Sequence, residues 1–277
     1  MNGDGALLSV RDLHCRRGGR EVLAGIGFDL HAGEVLGVLG ANGSGKSTLL
    51  ATVAGELALG GGHAALAGRH LAEWKIEALA RRRALLPQSP SLSFDLDVRS
   101  VVGMGAYPFP ALGPAELGTL VRRALTLADA QPLLERSYLA LSGGEQQRVQ
   151  FARVLVQALA ARSAAEGRLL LLDEPTSSLD PRHQLLLLGT VATLARDEGL
   201  AALVVLHDVN LAAQWCDRLL LLADGSAAAL GPPAEVLTSQ ALQRVYGVAA
   251  QIIPHPLRAG VPLVLFDAAA GAAVGAA

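Results

Sequence analysis

The stretch Gly40-Ala41-Asn42-Gly43-Ser44-Gly45-Lys46-Ser47-Thr48 limits what this chain can fold into more than any other. An apolar run, Val35-Leu36-Gly37-Val38-Leu39, leads into it, and Thr48-Leu49-Leu50-Ala51-Thr52-Val53-Ala54 leaves it with helical character. Strand, glycine-rich turn and helix, in that order, is the setting of a phosphate-binding loop. Glycines let the backbone curl so that successive N–H groups converge on an anion, and the opening helix adds its positive end. Lys46 supplies a point charge for β- and γ-phosphates, and the Ser47 hydroxyl suits Mg²⁺. The chain has only two lysines, Lys46 and Lys75, in 277 residues. A glycine turn with no ligand would need one of them to stand here by accident.

A chain of this length can bury a large core in one domain or two lobes. Hydrophobic residues make up 51% of it, yet no uninterrupted apolar run approaches the ~20 residues of a membrane span. The longest runs, 169–172, 200–206 and 219–223, suit buried parallel strands. A net charge of −2 speaks against a nucleic-acid footprint. The start, Met1-Asn2-Gly3-Asp4-Gly5, lacks the basic and apolar segments of a signal peptide. Cys15 and Cys216 show no paired spacing, which implies reduced thiols in a cytosolic compartment.

Along the chain, residues 7–31 alternate around Gly18-Gly19 and read as antiparallel strands. Gly60-Gly61-Gly62 reads as a loop, 64–67 as a short strand and 73–83 as a helix. The Arg81-Arg82-Arg83 run reads as a solvated face, with a docking patch as the alternative. Residues 84–88 suit a strand ending in a loop, and helical spacing dominates 100–134 between prolines. A further helix starts at Ser142, and 158–167 is an Ala-rich connection. Strands follow at 169–172, 201–206, 217–223 and 227–230, then a helix over 234–246. Residues 268–277 form a low-complexity Ala/Gly tail, expected to be disordered.

Two apolar strands end in chemistry. Asp173-Glu174 follows four leucines, at the strand end where an α/β sheet binds ligands. One carboxylate can hold Mg²⁺ and the other can polarise a water for attack on a γ-phosphate. Alone the pair would be an acidic turn; beside a phosphate loop it reads as catalytic. Leu141-Ser142-Gly143-Gly144-Glu145 opens a helix whose Ser142 and Glu145 fit a capping box. The capping box leaves the two glycines unexplained, and they suit a second anion site, one shared between two chains. His207 after an apolar strand and Gln88 after Pro87 would each, in isolation, be structural or surface residues.

In this order, these residues resemble the ATP-binding cassette (ABC) ATPases across about residues 7–250. The resemblance implies an α/β fold: a RecA-like P-loop NTPase core with an antiparallel β-subdomain and a helical subdomain at about 90–160. Residues 251–267 would then be a short C-terminal extension. It implies ATP and Mg²⁺ as cofactors. Gly40, Ala41, Asn42, Gly43, Ser44, Gly45, Lys46, Ser47 and Thr48 would hold phosphate, and Ser47, Gln88 and Asp173 would organise Mg²⁺. Glu174 would be the general base, His207 the γ-phosphate sensor, and Ser178-Leu179-Asp180 the loop that follows. Ser142, Gly143 and Gly144 would complete the nucleotide site of a second copy in a head-to-tail dimer. The other implied partners are two transmembrane permease subunits and, indirectly, a periplasmic substrate-binding protein. The implied location is the cytoplasmic face of the bacterial inner membrane. One departure stands out: the family usually has an adenine-stacking aromatic residue before the Gly-Gly turn, and here Arg17 occupies that place. A guanidinium can also stack on a base; the other reading is an exposed turn residue.

The run 101–108 looks like that of importers of haem, ferric siderophores and cobalamin. Residues 74–88, the 158–167 connection, and Ile253-Pro254-His255-Pro256 with Gly260-Val261-Pro262 look most like the haem importer ATPases. His255 reads as a loop histidine rather than a haem ligand. The competing readings are a siderophore or cobalamin importer, a soluble ABC ATPase of DNA repair or translation, and a nucleotide-binding protein without turnover. The single cassette and the charge balance oppose the soluble ATPase, and intact Lys46, Asp173 and Glu174 oppose the last. Residues 90–107, rich in apolar side chains among Pro and Gly, are the expected permease contact.

Overall fold

A computed structural model describes residues 5–88, 92, 95–160 and 167–267. The chain opens with an antiparallel hairpin, β1 (Leu8–Arg17) and β2 (Arg20–Leu30), followed by β3 (Val35–Gly40) and α1 (Lys46–Val53). Strands β4 (Gly61–Leu66) and β5 (Arg69–His70) extend the hairpin into a four-stranded sheet of order β2-β1-β4-β5. A short helix α2 (Ile76–Ala80) and strand β6 (Arg83–Leu86) lead into a helical region. That region holds α3 (Val98–Gly103), α4 (Pro114–Leu127) and α5 (Gly143–Ala160). Then come β7 (Arg168–Asp173), α6 (Pro181–Glu198), β8 (Leu200–Val205), α7 (Val209–Trp215), β9 (Arg218–Ala223) and β10 (Ser226–Gly231). The chain continues through α8 (Pro233–Val236), α9 (Ser239–Tyr246) and the hairpin β11 (Ala249–Pro254) and β12 (Pro262–Asp267).

The central sheet has the order β10-β9-β3-β8-β7-β6, parallel except for β10 at its edge. Strand alternation divides its leucines between two cores. Leu169 and Leu171 of β7 join Leu36, Val38, Leu203 and Val205 against α1 and the antiparallel sheet. Leu170 and Leu172 face the other way with Val204, Leu219 and Leu221, onto α5, α6 and α7. All four β7 leucines are at most 1% exposed, and each such burial is worth about 1.5–3 kcal/mol. With both faces covered, a near-continuous apolar run is what this strand requires. The helical region closes on itself through Tyr138, whose hydroxyl accepts from Gln150 Nε2 at 2.8 Å.

Several elements differ from the sequence expectation. The strand β4 begins at Gly61, inside the expected loop, because it pairs with β1. The helix expected over 73–83 is only Ile76–Ala80, and Arg83 belongs to β6, paired with Leu169. The Arg81–Arg83 run is therefore a solvated face only in part: Arg81 is exposed, and Arg82 and Arg83 are half-buried. Arg81 Nε donates to Pro108 O, Arg82 lies over the Trp74 ring, and Arg83 is turned inward. The 158–167 connection begins later, since α5 runs to Ala160; residues 161–166 lie outside the described residues. The 234–246 helix is broken after Val236, and Thr238 caps the second half by accepting from Ala241 N. The 251–267 extension is a hairpin that begins at Ala249. Asn210 of α7 pins it, donating to Val264 O at 3.0 Å and accepting from Val264 N at 2.7 Å. The tail, 268–277, lies outside the described residues. Cys15 and Cys216 are free and buried.

Candidate functional site

Register brings the site together. Within the central sheet β3, β8 and β7 are adjacent and parallel, so Gly40, Asp173 and the end of β8 lie on one edge. The phosphate loop turns from β3 into α1 there. Gly45 precedes the helix at φ 101°, which only glycine adopts readily. A Cβ on Gly45 would also lie 2.6 Å from Leu23 Cδ2, so β2 packs directly under the loop. A Cβ on Gly40 would meet Ser44 Oγ at 2.5 Å and Leu222 O at 2.6 Å. Lys46 is 5% exposed and donates to the carbonyls of Gly40 and Ala41 at 2.8 and 3.0 Å. Burial holds its ammonium below the usual lysine range, against the opposing pull of Glu174 and Asp173. Buried Ser44 Oγ has no hydrogen-bond partner, one more polar atom in the loop left for a ligand.

The two carboxylates take different neighbours. Asp173 Oδ1 accepts from Ser47 Oγ at 3.3 Å, and burial pushes its carboxyl above the usual range. A buried carboxylate beside a hydroxyl is the oxygen donor set that Mg²⁺ takes, with phosphate and water completing its shell. Among the described residues no cluster of three or more His, Cys, Asp or Glu could hold a metal by itself. Glu174 is 8% exposed and sits at φ 49°, rare for a non-glycine residue. Its N–H donates to Val205 O on the neighbouring strand at 3.1 Å, which holds it there. Strain of this kind costs on the order of 1–3 kcal/mol and collects where a side chain must be aimed. Gln88 Nε2 donates to Glu174 Oε2 at 2.7 Å, and His207 Nε2 donates to Oε1 at 2.5 Å. Both oxygens of the carboxylate are thus held.

A cleft of about 470 Å³ gathers most of the expected residues: Arg17, Asn42, Gly43, Gly45 to Thr48, Gln88, Glu174 and His207. Arg17 stands at its wall beside Val22. Ser142, Gly143 and Gly144 do not line this cleft. They open α5, where Ser142 N donates to Glu145 Oε2 at 2.8 Å and Glu145 N to Ser142 Oγ at 3.4 Å, the capping box read from the sequence. The chain itself explains Gly144, whose Cβ would come within 3.0 Å of Ser178 O. It does not explain Gly143, which has nothing within 4 Å of a Cβ. The metal role expected of Gln88 falls to its side-chain carbonyl oxygen, since its amide nitrogen donates to Glu174.

Two further contacts around the site go beyond the sequence reading. Gln147 Nε2 donates to Pro175 O at 3.1 Å, fastening α5 to the loop after Glu174. Asp180 caps α6, accepting from His183 N at 2.9 Å and from His183 Nδ1. The Asp-Pro step at a helix start could have identified that cap. Nothing in the sequence of an α5 glutamine distinguishes one that reaches another loop.

Known proteins resemble this chain in sequence and fold. A family model described as ABC transporter matches residues 23–177. The chain is 55% identical over 258 residues to the hemin import ATP-binding protein HmuV of Bordetella parapertussis, covering 93% of this chain and 98% of that protein. It is 49% identical over 259 residues to the HmuV of Pseudomonas entomophila, covering 94% and 99%. Among solved structures, CbiO1 of Clostridium perfringens, part of the ABC transporter complex cbiONQ, superposes with a TM-score of 0.74 at 27% identity. That match covers 87% of this chain and 94% of the other.

Proposed function

This chain belongs to the ABC transporter family of ATP-binding subunits, and from that premise we propose that the cargo it energises is haem. The chain is the ATP-hydrolysing subunit of a bacterial importer. The observation that carries the cargo reading is the near-full-length likeness to hemin import relatives, because cargo itself never touches an ATPase subunit. The subunit works at the cytoplasmic face of the inner membrane, and among the described residues no helix is long and apolar enough to cross a membrane.

The residues divide the work as follows in this proposal. Lys46 and the backbone of Gly40 to Thr48 hold the β- and γ-phosphates of ATP. Ser47, Asp173 and the Gln88 carbonyl hold Mg²⁺, which when bound neutralises charge developing on the transferring phosphoryl group. Glu174 accepts the proton of the attacking water while His207 and Gln88 fix its two oxygens. Arg17 stacks on the base. Ser142 to Gly144 reach the nucleotide of a second copy in a head-to-tail dimer, and Gly143 leaves room for it. Two permease subunits carry the cargo, fed by a periplasmic binding protein, and the segment 90–107, of which residues 90, 91, 93 and 94 lie outside the described residues, meets the permease.

Proteoliposomes holding this subunit with its permease test the cargo. ATP-dependent accumulation of haem, delivered by the cognate binding protein, is the expected result. Accumulation of cobalamin or a ferric siderophore in place of haem would overturn the haem reading and leave the ATPase assignment intact.

A further inference from the structure

His207 is held by its backbone more than by packing. Its side chain is 47% exposed, against 10% for the Glu174 side chain it contacts. On one side it follows the end of β8, where Leu206 N donates to Val38 O at 3.1 Å. On the other side a single residue, Asp208, separates it from α7. The aim of the imidazole therefore depends on where α7 starts.

Helix α7 has seven residues, about two turns, and helices so short are not stable by themselves. Asp208 caps it, its Oδ1 accepting from Asn210 N at 2.8 Å and Leu211 N at 2.9 Å. A cap orders the first turn without saying where that turn stands in the molecule. Asn210 supplies the place. Its side-chain amide meets both polar groups of the Val264 backbone, donating to O and accepting from N. A peptide N–H only donates and a carbonyl only accepts, so the two bonds fix the orientation of the amide as well as its position.

Val264 is a firm reference point. It is buried, and its strand β12 is paired with β11 at six positions. Two residues on, Phe266 meets Tyr246 of α9 edge-on, with ring centroids 5.8 Å apart. At the far end of α7 the hairpin makes a second contact, Arg258 over the Trp215 ring at 4.8 Å. The hairpin carries its own ladder of pairs, while the short helix depends on its surroundings. The helix is the part that is positioned.

We propose that Asn210 is a positioning residue for ATP hydrolysis: by tying the first turn of α7 to β12 it fixes His207 against Glu174. The proposal rests on the roles given to Glu174 and His207 above. It makes the C-terminal hairpin a support of the site, although no hairpin residue lines the cleft. A small misplacement of a group that orients a base is costly in rate.

The test is steady-state ATPase of the purified full-length subunit, referred to the number of sites that bind nucleotide so that unfolded chains are not counted. Asn210→Ala should lower kcat by about tenfold or more with KM for ATP within about twofold of the parent. Asn210→Asp, which keeps the bond from Val264 N, should lie between the two and gives the same reading where the alanine variant does not fold. In a His207→Ala background, Asn210→Ala should cost at most about twofold more, because the group it positions is gone. Parent-level kcat in both Asn210 variants overturns the proposal, and so does a full further loss in the His207→Ala background. An equal loss in Arg258→Gln, which releases the hairpin at the far end of α7, would assign the effect to the seating of the whole hairpin and overturn the role of Asn210. Each of these results leaves the role of His207 standing. Full turnover in His207→Ala itself would remove that role, and the proposal with it.

Discussion

His207 Nε2 lies 2.5 Å from Glu174 Oε1, joining residues that follow two adjacent parallel strands. Asp173 pairs in register with Val205, so the residues just beyond the ends of β7 and β8 meet at the sheet edge. A carboxylate held from two sides is aimed before substrate arrives, and aim is what a general base needs.

Glu174→Gln is expected to keep ATP binding and lose about 10²–10⁴-fold in turnover, the usual contribution of a general base. His207→Ala, which frees one oxygen of the carboxylate, should lower kcat more than it changes KM. Steady-state hydrolysis by the purified variants checks both. Near-normal turnover in Glu174→Gln would remove the base assignment.

The two glycines at the start of α5 should behave differently. Gly143→Asp has open space and an acidic side chain at a helix N-terminus, so the melting temperature of the isolated subunit should stay at or above the parent's. Gly144→Ala meets Ser178 O and should melt below Gly143→Ala. In the Glu174→Gln background, Gly143→Asp should abolish dimerisation driven by ATP, because its carboxylate opposes phosphate. Light scattering with ATP and with ADP reads this out; dimers that survive in the double variant would reduce the stretch to a helix cap.

Tyr107→Glu should leave hydrolysis by the isolated subunit within about twofold of the parent, since the side chain is exposed and outside the cleft. Haem uptake by the assembled transporter should fall with it. Should uptake be spared, or should isolated ATPase collapse, the permease contact lies elsewhere.

His14 sits between Glu21 Oε1 at 2.9 Å and Asp12 Oδ1 at 3.2 Å. The hydrogen bond to Glu21, then that to Asp12, raises its pKa above the ordinary 6.5. A raised folded value means the charged ring stabilises the fold below the unfolded pKa, with the contribution lost as pH rises through the folded one. Denaturation midpoints of the parent and His14→Gln should therefore differ at acidic pH and converge as pH rises past the raised value. A gap that is the same at every pH would show that His14 acts by packing instead.

The phosphate loop and Asp173-Glu174 could be read directly because each is local: the residues that make the site are neighbours in sequence, flanked by the strand that orients them. The capping box at Ser142 and Glu145 was legible for the same reason. What joins Gln88 and His207 to one carboxylate is the order β8-β7-β6, which no local pattern encodes. Arg83 was misread because three consecutive arginines look alike until strand pairing turns one inward. The β11–β12 hairpin was missed because Ala249-Ala250-Gln251 has little strand propensity of its own. Its pairing with β12 and its seat on Asn210 supply what the sequence lacks.

Helix α5 carries Gly143 at one end, Gln147 against Pro175 in its first half, and Arg153 and Gln157 farther along. Its 18 residues make a rod about 27 Å long. With Gln147 as pivot, a tilt of about 5° moves the far end of such a rod by about 2 Å and the Gly143 end by about 0.5 Å, in opposite directions. The helix is thus a mechanical lever with the loop after Glu174 as its fulcrum. Displacement imposed at the arginine end must appear, with opposite sign, at Gly143.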